Sequence, residues 1–454
     1  MIGEKSENLG AIILCSLVVL APLPFGSTVP QIVAVEVLLL SLVLTLASLT
    51  EFSARDAKFV GAFALVGLCW LLVVAAQLVP NGGAYFHLNT PVWSHAGHLL
   101  GVQLPTHISI VRDQPWIAAG SQIACAASLL AGYLVGRNRF WARVLLLGFA
   151  SSGLLYAIFG IAMTVWAPNN VLWMEKAAYR GVLTATFVNA NTAAIYFGLC
   201  SVLWLLLAAK DLDQYVSLRA ALVQPPRRAI VCLISFLITL SAAFMTGSRA
   251  GSVLTILGLV GAATTYSWRR FGSRSAMATK ILLMATAAGA TFLWLGGRVS
   301  DRFDAVGFMD EARLSTYVST MNIIRDYPWL GTGLGTFVWA FPAYRNGSTS
   351  VVGVWDRAHN TMLEIASEMG LPFSLVVILA WLTILFHLSR GMVTRKRDKI
   401  FPVFGFWASL LAVLHSQVDF PLQIPGFSIV ILTLTGAGLA QSTSPRLLAK
   451  ASPP

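Results

Sequence analysis

The feature that most constrains this chain is a succession of apolar runs that are each long enough to cross a lipid bilayer. A membrane-spanning helix needs about 20 mainly apolar residues, with some allowance for tilt. A mean hydropathy of +0.74 with only 11% charged residues lies outside the range of soluble proteins. The sequence therefore predicts an all-α polytopic membrane protein in which residues 1–454 form a single integral membrane domain. The twelve predicted spans lie near Leu9–Leu23, Gln31–Leu49, Phe59–Val79, Trp116–Val135, Val144–Val165, Asn191–Ala209, Ala229–Met245, Ser252–Tyr266, Ile281–Leu295, Gly370–Leu388, Phe401–Leu414 and Phe427–Leu439.

The basic residues predict the orientation of these spans. Twelve spans place both termini on one side, and about two thirds of the 31 Lys and Arg residues then lie on that same side. Because cytoplasmic loops carry an excess of Lys and Arg, we expect both termini to be cytoplasmic. The net charge of +12 follows mainly from this topology, since the positive residues are spread over loops that face anionic lipid headgroups. No nucleic-acid partner is predicted, because such binding concentrates basic residues on one surface.

Two long segments fall on the outer side, at residues 80–115 and at residues 296–369 between spans nine and ten. The first contains four histidines, and Asp113 is the one carboxylate among them, so no metal site is predicted there. A lid or a loop that contacts an acceptor is the expected role. The histidines are His87, His95, His98 and His107.

The second outer loop is expected to be helical. Apolar residues recur at helical spacing over Ala312–Tyr327, which predicts an amphipathic helix that lies on the bilayer or caps the bundle. The following glycine run, Gly331 to Gly335, matches nucleotide-binding loops only weakly because no strand precedes it. We expect it to be a flexible bend between two outer helices.

His359 is the candidate catalytic residue within this loop. Thr361 followed by Glu364 has the pattern of a capping box, which predicts that a helix begins there and that His359 lies just before its N-terminus. The partial positive charge of that end disfavours imidazolium and keeps the ring able to accept a proton. Asp356 is either a competing base or a group that orients the ring. A surface histidine without a role is the alternative interpretation.

Arginine predominates over lysine among the basic residues on the outer side. Its planar guanidinium suits bidentate contact with phosphate or carboxylate. Arg180 lies in a polar loop that leads into span six, and Arg249 lies in the short turn between spans seven and eight. Each is also explained by an arginine that extends from a span end toward the headgroups. Inside the spans, Glu36 is the clear buried charge, and His415 and Asp419 lie at the outer end of span eleven.

Four motifs in a fixed order resemble the bacterial O-antigen ligase and polymerase superfamily. The resemblance runs from Tyr179 to Gly370, under half of the chain, while the hydropathy is similar to the family throughout. The motifs are the R-G-x-x-x-x-T-F-x-N-x-N loop that starts at Arg180, Gly247–Gly251, Asp326–Gly335, and Ala358–Asn360 followed by Leu363-Glu364 and Glu368–Gly370.

This resemblance implies a membrane enzyme with a fold like that of the glycosyltransferase-C class, in the bacterial inner membrane with its site facing the periplasm. It would pass a glycan (O-antigen) from undecaprenyl diphosphate to the lipid A–core oligosaccharide, without a cofactor, without a metal and with inversion. The family's diphosphate-binding arginines map onto Arg180 and Arg249, and its essential histidine maps onto His359. Arg357, Arg313, Asn191 and Asp356 are the further residues expected to support the site.

Other functions remain open at this stage. An O-antigen polymerase and a protein O-oligosaccharyltransferase share these motifs. A transporter of lipid-linked glycans is the non-enzyme alternative, and it would place its polar groups along a central path lined by Glu36. Transporters usually show two matching halves, which are not visible in this sequence, and here the polar residues collect at one surface.

Overall fold

The computed structural model describes residues 2–82, 91–212, 226–267, 311–347, 354–395 and 397–443. Within these residues the chain forms fourteen α-helices and one short β-hairpin. The helices are α1 (Ile2–Leu20), α2 (Pro30–Ser48), α3 (Ala54–Leu78), α4 (Pro91–Leu100), α5 (Gln114–Gly136), α6 (Arg139–Trp166), α7 (Ala190–Leu212), α8 (Arg227–Met245), α9 (Arg249–Ser267), α10 (Glu311–Asp326), α11 (Phe337–Tyr344), α12 (Thr361–Thr394), α13 (Ile400–His415) and α14 (Pro425–Thr443).

Two smaller elements complete the described structure. In the hairpin, β1 (Asn170–Val171) pairs antiparallel with β2 (Met174–Glu175), and Asn170 lies opposite Glu175. A single 3₁₀ turn, Pro421–Gln423, connects α13 to α14.

The prediction of an all-α polytopic membrane protein is confirmed. Nine of the described helices are long and apolar enough to cross a membrane, and they coincide with nine of the predicted spans. The predicted first and eleventh spans fall in α1 and in α13, an apolar helix of 16 residues. The predicted ninth span, Ile281–Leu295, lies outside the described residues.

Helices α7 and α14 form the centre of the bundle. In their most apolar stretches 83% and 94% of the residues are buried, against 6% in α3, which lies at the periphery. Helix α5 packs closely against α14 because Gly132 and Gly136, spaced four apart, leave room for the backbone of Thr433 and Ala437. Such pairs of small residues are typical of membrane helix packing, where close backbone approach provides the contact.

One end of the bundle, called the site end here, is where α6, α8 and α13 finish and α7, α9, α12 and α14 begin. Its connections bond to one another through their backbones. Leu183 N donates to Met245 O at 3.2 Å, and Thr361 N donates to Ser416 O at 2.8 Å. The loop after α6 is therefore bonded to the end of α8, and the segment after α13 is bonded to the start of α12.

Candidate active site

The start of α12 places His359. Asn360 is the N-cap: its backbone is extended, with φ −152°, and its side-chain oxygen accepts from the N–H groups of Met362 and Leu363, both at 3.1 Å. The predicted capping box of Thr361 and Glu364 is therefore wrong, because the residue before Thr361 already caps the helix. The expectation that His359 lies just before a helix N-terminus is confirmed.

His359 has an unusual backbone conformation. Its φ is +53°, in the left-handed region that is costly for residues other than glycine. Its carbonyl oxygen accepts a hydrogen bond from the Tyr317 hydroxyl at 3.0 Å. Its ring contacts Trp355 and Phe420 edge-on, with ring centroids 5.8 and 5.1 Å apart. His359 is thus held through its backbone carbonyl and through its ring.

Asp419 bonds to two of the residues that were predicted to support the site, Asn191 and Arg313. Its side chain is fully buried and accepts from Asn189 at 3.3 Å, from Asn191, and from Arg313 at 3.4 Å. The next residue, Phe420, is the one that contacts the His359 ring. Sequence reasoning noted Asp419 only as a polar residue at a span end. A carboxylate beside an apolar span is the signal that pointed to it.

The segment before Asp419 clamps the histidine loop against α10. Gln417 O accepts from Asn360 Nδ2 at 3.0 Å and from the Tyr317 hydroxyl at 3.3 Å. Val418 O accepts from Arg313 Nη1 at 2.8 Å. The helix predicted over Ala312–Tyr327 is confirmed as α10, which contacts the bundle through Arg313 and Tyr317. The predicted apolar face is not its packed face, because Leu314, Val318 and Met321 are exposed and the buried residues are mainly Ser and Thr.

Arg180 and Arg249 lie on two connections that touch. The Arg180 guanidinium is exposed, pairs with Glu175 at 2.9 Å and donates to Lys176 O at 3.1 Å. Three residues further on, Leu183 bonds to the last residue of α8, in the turn that leads to Arg249. Arg249 is the first residue of α9 and is half-buried. Arg180 and Arg249 therefore belong to connections that adjoin at the site end.

Lys176 is a buried cation in the Arg180 loop that sequence reasoning did not select. Its ammonium donates to the carbonyl oxygens of Pro168 at 3.0 Å and Val182 at 2.7 Å. Burial lowers its pKa below the ordinary lysine value. With its donors turned to the backbone, Lys176 fixes the loop that presents Arg180.

The first turn of α7 connects the arginine loops with the histidine loop. Asn191 in this turn bonds to Asp419, which lies next to Phe420 and so to His359. One turn later, Ala194 packs so closely against α9 that a side chain at Gly251 would overlap it. The N-terminus of α7 thus anchors both halves of the candidate site.

Arg357 and Asp356 have different surroundings. The Arg357 guanidinium donates to Glu364 at 3.2 Å. Burial lowers the pKa of Arg357, but the carboxylates of Glu364 and Glu368 outweigh burial and raise it. Arg357 is therefore a fixed cation that neutralises a buried carboxylate. Asp356 is exposed.

The glycine run binds a carboxylate of this chain. Glu368 accepts from the N–H groups of Gly335 and Phe337, both at 2.9 Å, and its own carbonyl accepts from Gly333 N at 3.0 Å. The predicted bend between two helices is confirmed, since it joins α10 to α11. It is bonded to α12 rather than flexible, and the amides that would hold a phosphate in a nucleotide loop hold Glu368.

In the part of the chain that the structure describes, no three His, Cys, Asp or Glu side chains are grouped to hold a metal ion. His95 and His98 lie exposed on α4, His107 is buried beside Trp93, and His87 lies outside the described residues.

Comparison with known proteins gives one family match. Residues 234–378 match the sequence profile of a family described as O-antigen ligase. No curated protein matches the chain significantly. The matched segment begins in α8 and ends in α12, so it includes Arg249, Arg313 and His359, whereas Arg180 and Asp419 lie outside it. Together with the membrane-spanning helices, this match over residues 234–378 supports a relation to the O-antigen ligase and polymerase superfamily.

Proposed function

We propose that this protein is a glycosyltransferase of the O-antigen ligase type. It moves a glycan from undecaprenyl diphosphate to the lipid A–core oligosaccharide at the periplasmic face of the inner membrane. The observation that carries the proposal is the anchoring of the Arg180, Arg249 and His359 loops to one helix end within a chain of this superfamily. The three sequence motifs that contain these residues, each weak alone, therefore lie at one end of the bundle.

The arginines bind the diphosphate of the donor in this proposal. Undecaprenyl diphosphate is an activated leaving group, and negative charge grows on it as the glycosidic C–O bond breaks. Arg249 opens α9, so the helix N-terminus adds its partial positive charge to the guanidinium. Arg180 is exposed, and a diphosphate competes there with Glu175. Cations fixed in advance at a developing charge stabilise the transition state.

His359 acts as the general base. Its ring nitrogen takes the proton of the attacking acceptor hydroxyl, whose oxygen forms the new bond to the anomeric carbon while the diphosphate leaves. In-line attack of this kind inverts the anomeric centre. General-base catalysis contributes roughly 10²–10⁴-fold. The position ahead of α12 favours the neutral imidazole that this role needs.

The proposed orientation rests on the distribution of basic residues along the chain. The end opposite the site end carries ion pairs between Arg137 and Asp56 at 3.1 Å and between Arg139 and Asp398 at 2.7 Å. Basic residues of this kind mark the cytoplasmic side. Trp166 and Trp173 lie exposed at the site end, and tryptophan is enriched at membrane–water interfaces.

The transporter alternative has weaker support. Glu36, which would line a central path, is only 4% exposed. One of its oxygens lies 2.5 Å from the Ser27 hydroxyl in the connection between α1 and α2. This enclosed position favours a packing role over a place in a transport path.

The lipopolysaccharide of a strain that lacks this protein tests the proposal. We expect gels to show core–lipid A without polymer, together with accumulation of undecaprenyl-linked polymer. Core that bears single repeat units would instead identify a polymerase. Unchanged lipopolysaccharide with loss of glycan from a protein would identify a protein O-oligosaccharyltransferase.

A further inference from the structure

The residue before His359 is held by a buried carboxylate. Ala358 N donates to Glu364 Oε2 at 2.7 Å, and both residues are almost completely enclosed. Ala358 packs in a small apolar cluster with Ile323, Phe337 and Phe341. A backbone N–H in such a cluster has no water to replace a lost acceptor, so this hydrogen bond is costly to remove.

We propose that Glu364 is a positioning residue, which fixes the peptide before His359 and thereby aims the imidazole at the acceptor hydroxyl. The proposal rests on the proposed function, in which His359 is the base.

The backbone of His359 needs such support. A φ of +53° is strained for histidine and persists only where the surroundings impose it. Three contacts impose it here. Glu364 holds the N–H of the preceding residue, Tyr317 holds the His359 carbonyl at 3.0 Å, and Asn360 is fixed as the helix cap. Without the first contact, the peptide is free to relax to negative φ, which turns the ring.

The two oxygens of Glu364 have separate partners. Oε2 accepts from Ala358 N, while Oε1 accepts from Arg357 Nη1 at 3.2 Å. The guanidinium stabilises the charged form of the carboxylate, and an ionised acceptor makes a stronger hydrogen bond than a neutral one. Arg357 and Glu364 thus stabilise the loop as a unit, which gives Arg357 a role without contact to substrate.

Glu368 offers a matched control on the same helix. It lies one turn further along α12 and is also buried, and its carboxylate also accepts backbone N–H groups. Those donors are Gly335 and Phe337, in the glycine loop rather than in the histidine loop. A substitution at Glu368 therefore perturbs packing of the same kind without touching the peptide that precedes His359.

The test is a double-mutant cycle on the purified full-length enzyme, with undecaprenyl-diphosphate glycan as donor. Glu364→Ala should lower kcat by roughly 10²-fold, the effect of a misplaced catalytic group, with donor KM little changed. Glu364→Gln keeps an acceptor oxygen for Ala358 N and should recover part of the loss. In a His359→Ala background, Glu364→Ala should have no further effect on residual transfer, because the base that it positions is absent.

Several outcomes overturn the proposal. An equal fold loss from Glu364→Ala in both backgrounds means a general structural role. So does a loss of the same size and pattern from Glu368→Ala. If Glu364→Ala fails to insert, Tyr317→Phe removes the hydroxyl that donates to His359 without stranding a charge. Its smaller kcat loss should likewise vanish in the His359→Ala background, and persistence there contradicts the proposal.

The cycle also separates this proposal from the proposed function. If His359→Ala transfers glycan at the wild-type rate, both the role of His359 as base and the positioning role of Glu364 are refuted. If His359→Ala is inactive while Glu364→Ala transfers glycan normally, only the positioning role of Glu364 is refuted.

Discussion

Replacement of Asp419 by alanine is the sharpest structural test, because this carboxylate joins three separate elements. It accepts from Arg313 on α10, from Asn191 at the start of α7 and from Asn189 just before it. The aspartate itself is fully buried. Alanine leaves all three donors without their acceptor in the interior, next to the loop that contacts His359.

The expected loss of stability follows from those contacts. Removal of one partner of a buried ion pair costs about 3–5 kcal/mol. The Arg313 side chain is 26% exposed, so water recovers part of its solvation and moves that cost toward the lower limit. Each stranded amide adds about 1–3 kcal/mol before relaxation. Taking the lower limit of each term, we expect a total of about 5 kcal/mol, or a midpoint roughly 5 °C lower for a chain of this size.

Thermal unfolding of the detergent-solubilised protein, followed by size-exclusion fluorescence, measures the shift. Asp113→Ala is the matched control, because the Asp113 side chain is 80% exposed and pairs with Arg112 at 3.9 Å. It should change stability by no more than about 0.5 kcal/mol. Arg313→Ala combined with Asp419→Ala should cost less than the sum of the two single changes, since the interaction between the two side chains is then lost only once.

A shift for Asp419→Ala as small as that for Asp113→Ala would refute the reasoning. Full additivity in the Arg313 double variant would also contradict it, because it would mean that the two residues do not interact.

Three further predictions follow from the site and the fold. Arg249→Ala should weaken binding of undecaprenyl-diphosphate glycan in a direct binding assay, and Arg249→Lys should recover only part, since it keeps the charge and loses the planar fork; equal binding by all three proteins contradicts the diphosphate role. Transfer by the purified enzyme should survive excess EDTA, and loss that magnesium restores would refute metal independence. Gly370→Ala should greatly lower the yield of folded protein, because φ is +82° there and a side chain would overlap the Trp329 carbonyl. The control Gly61→Ala, with no neighbour within 4 Å, should be neutral or stabilising by up to about 1 kcal/mol. Equal yields of the two variants would contradict this prediction.

The spans and the helical outer segment were predictable because hydrophobic pattern is local information. The run Ala312–Tyr327 showed its apolar spacing directly, and α10 ends one residue earlier. The exact cap of α12 was not predictable from pattern alone. Asn360 and Thr361 are both good capping residues, and the extended backbone of Asn360 decides between them.

The connections between the candidate residues could not be predicted. Asn191 and Asp419 are 228 positions apart in the chain, and nothing near either residue indicates the other. Glu364 was assigned to a capping box because its spacing fits one, but its carboxylate holds Ala358 and Arg357 instead. Long-range partners of polar residues depend on how the helices pack, and helix spacing alone does not encode that.

The central claim is that His359 is the base of a glycosyl transfer whose donor is bound elsewhere in the site. The most direct measurement compares His359→Ala with the wild-type enzyme, both folded and inserted, for transfer rate and for binding of undecaprenyl-diphosphate glycan in the same preparation. We expect a rate lower by roughly 10²–10⁴-fold with donor affinity nearly unchanged, because a base acts mainly in the transition state. Transfer near the wild-type rate would contradict it and would make Asp356 the next candidate base.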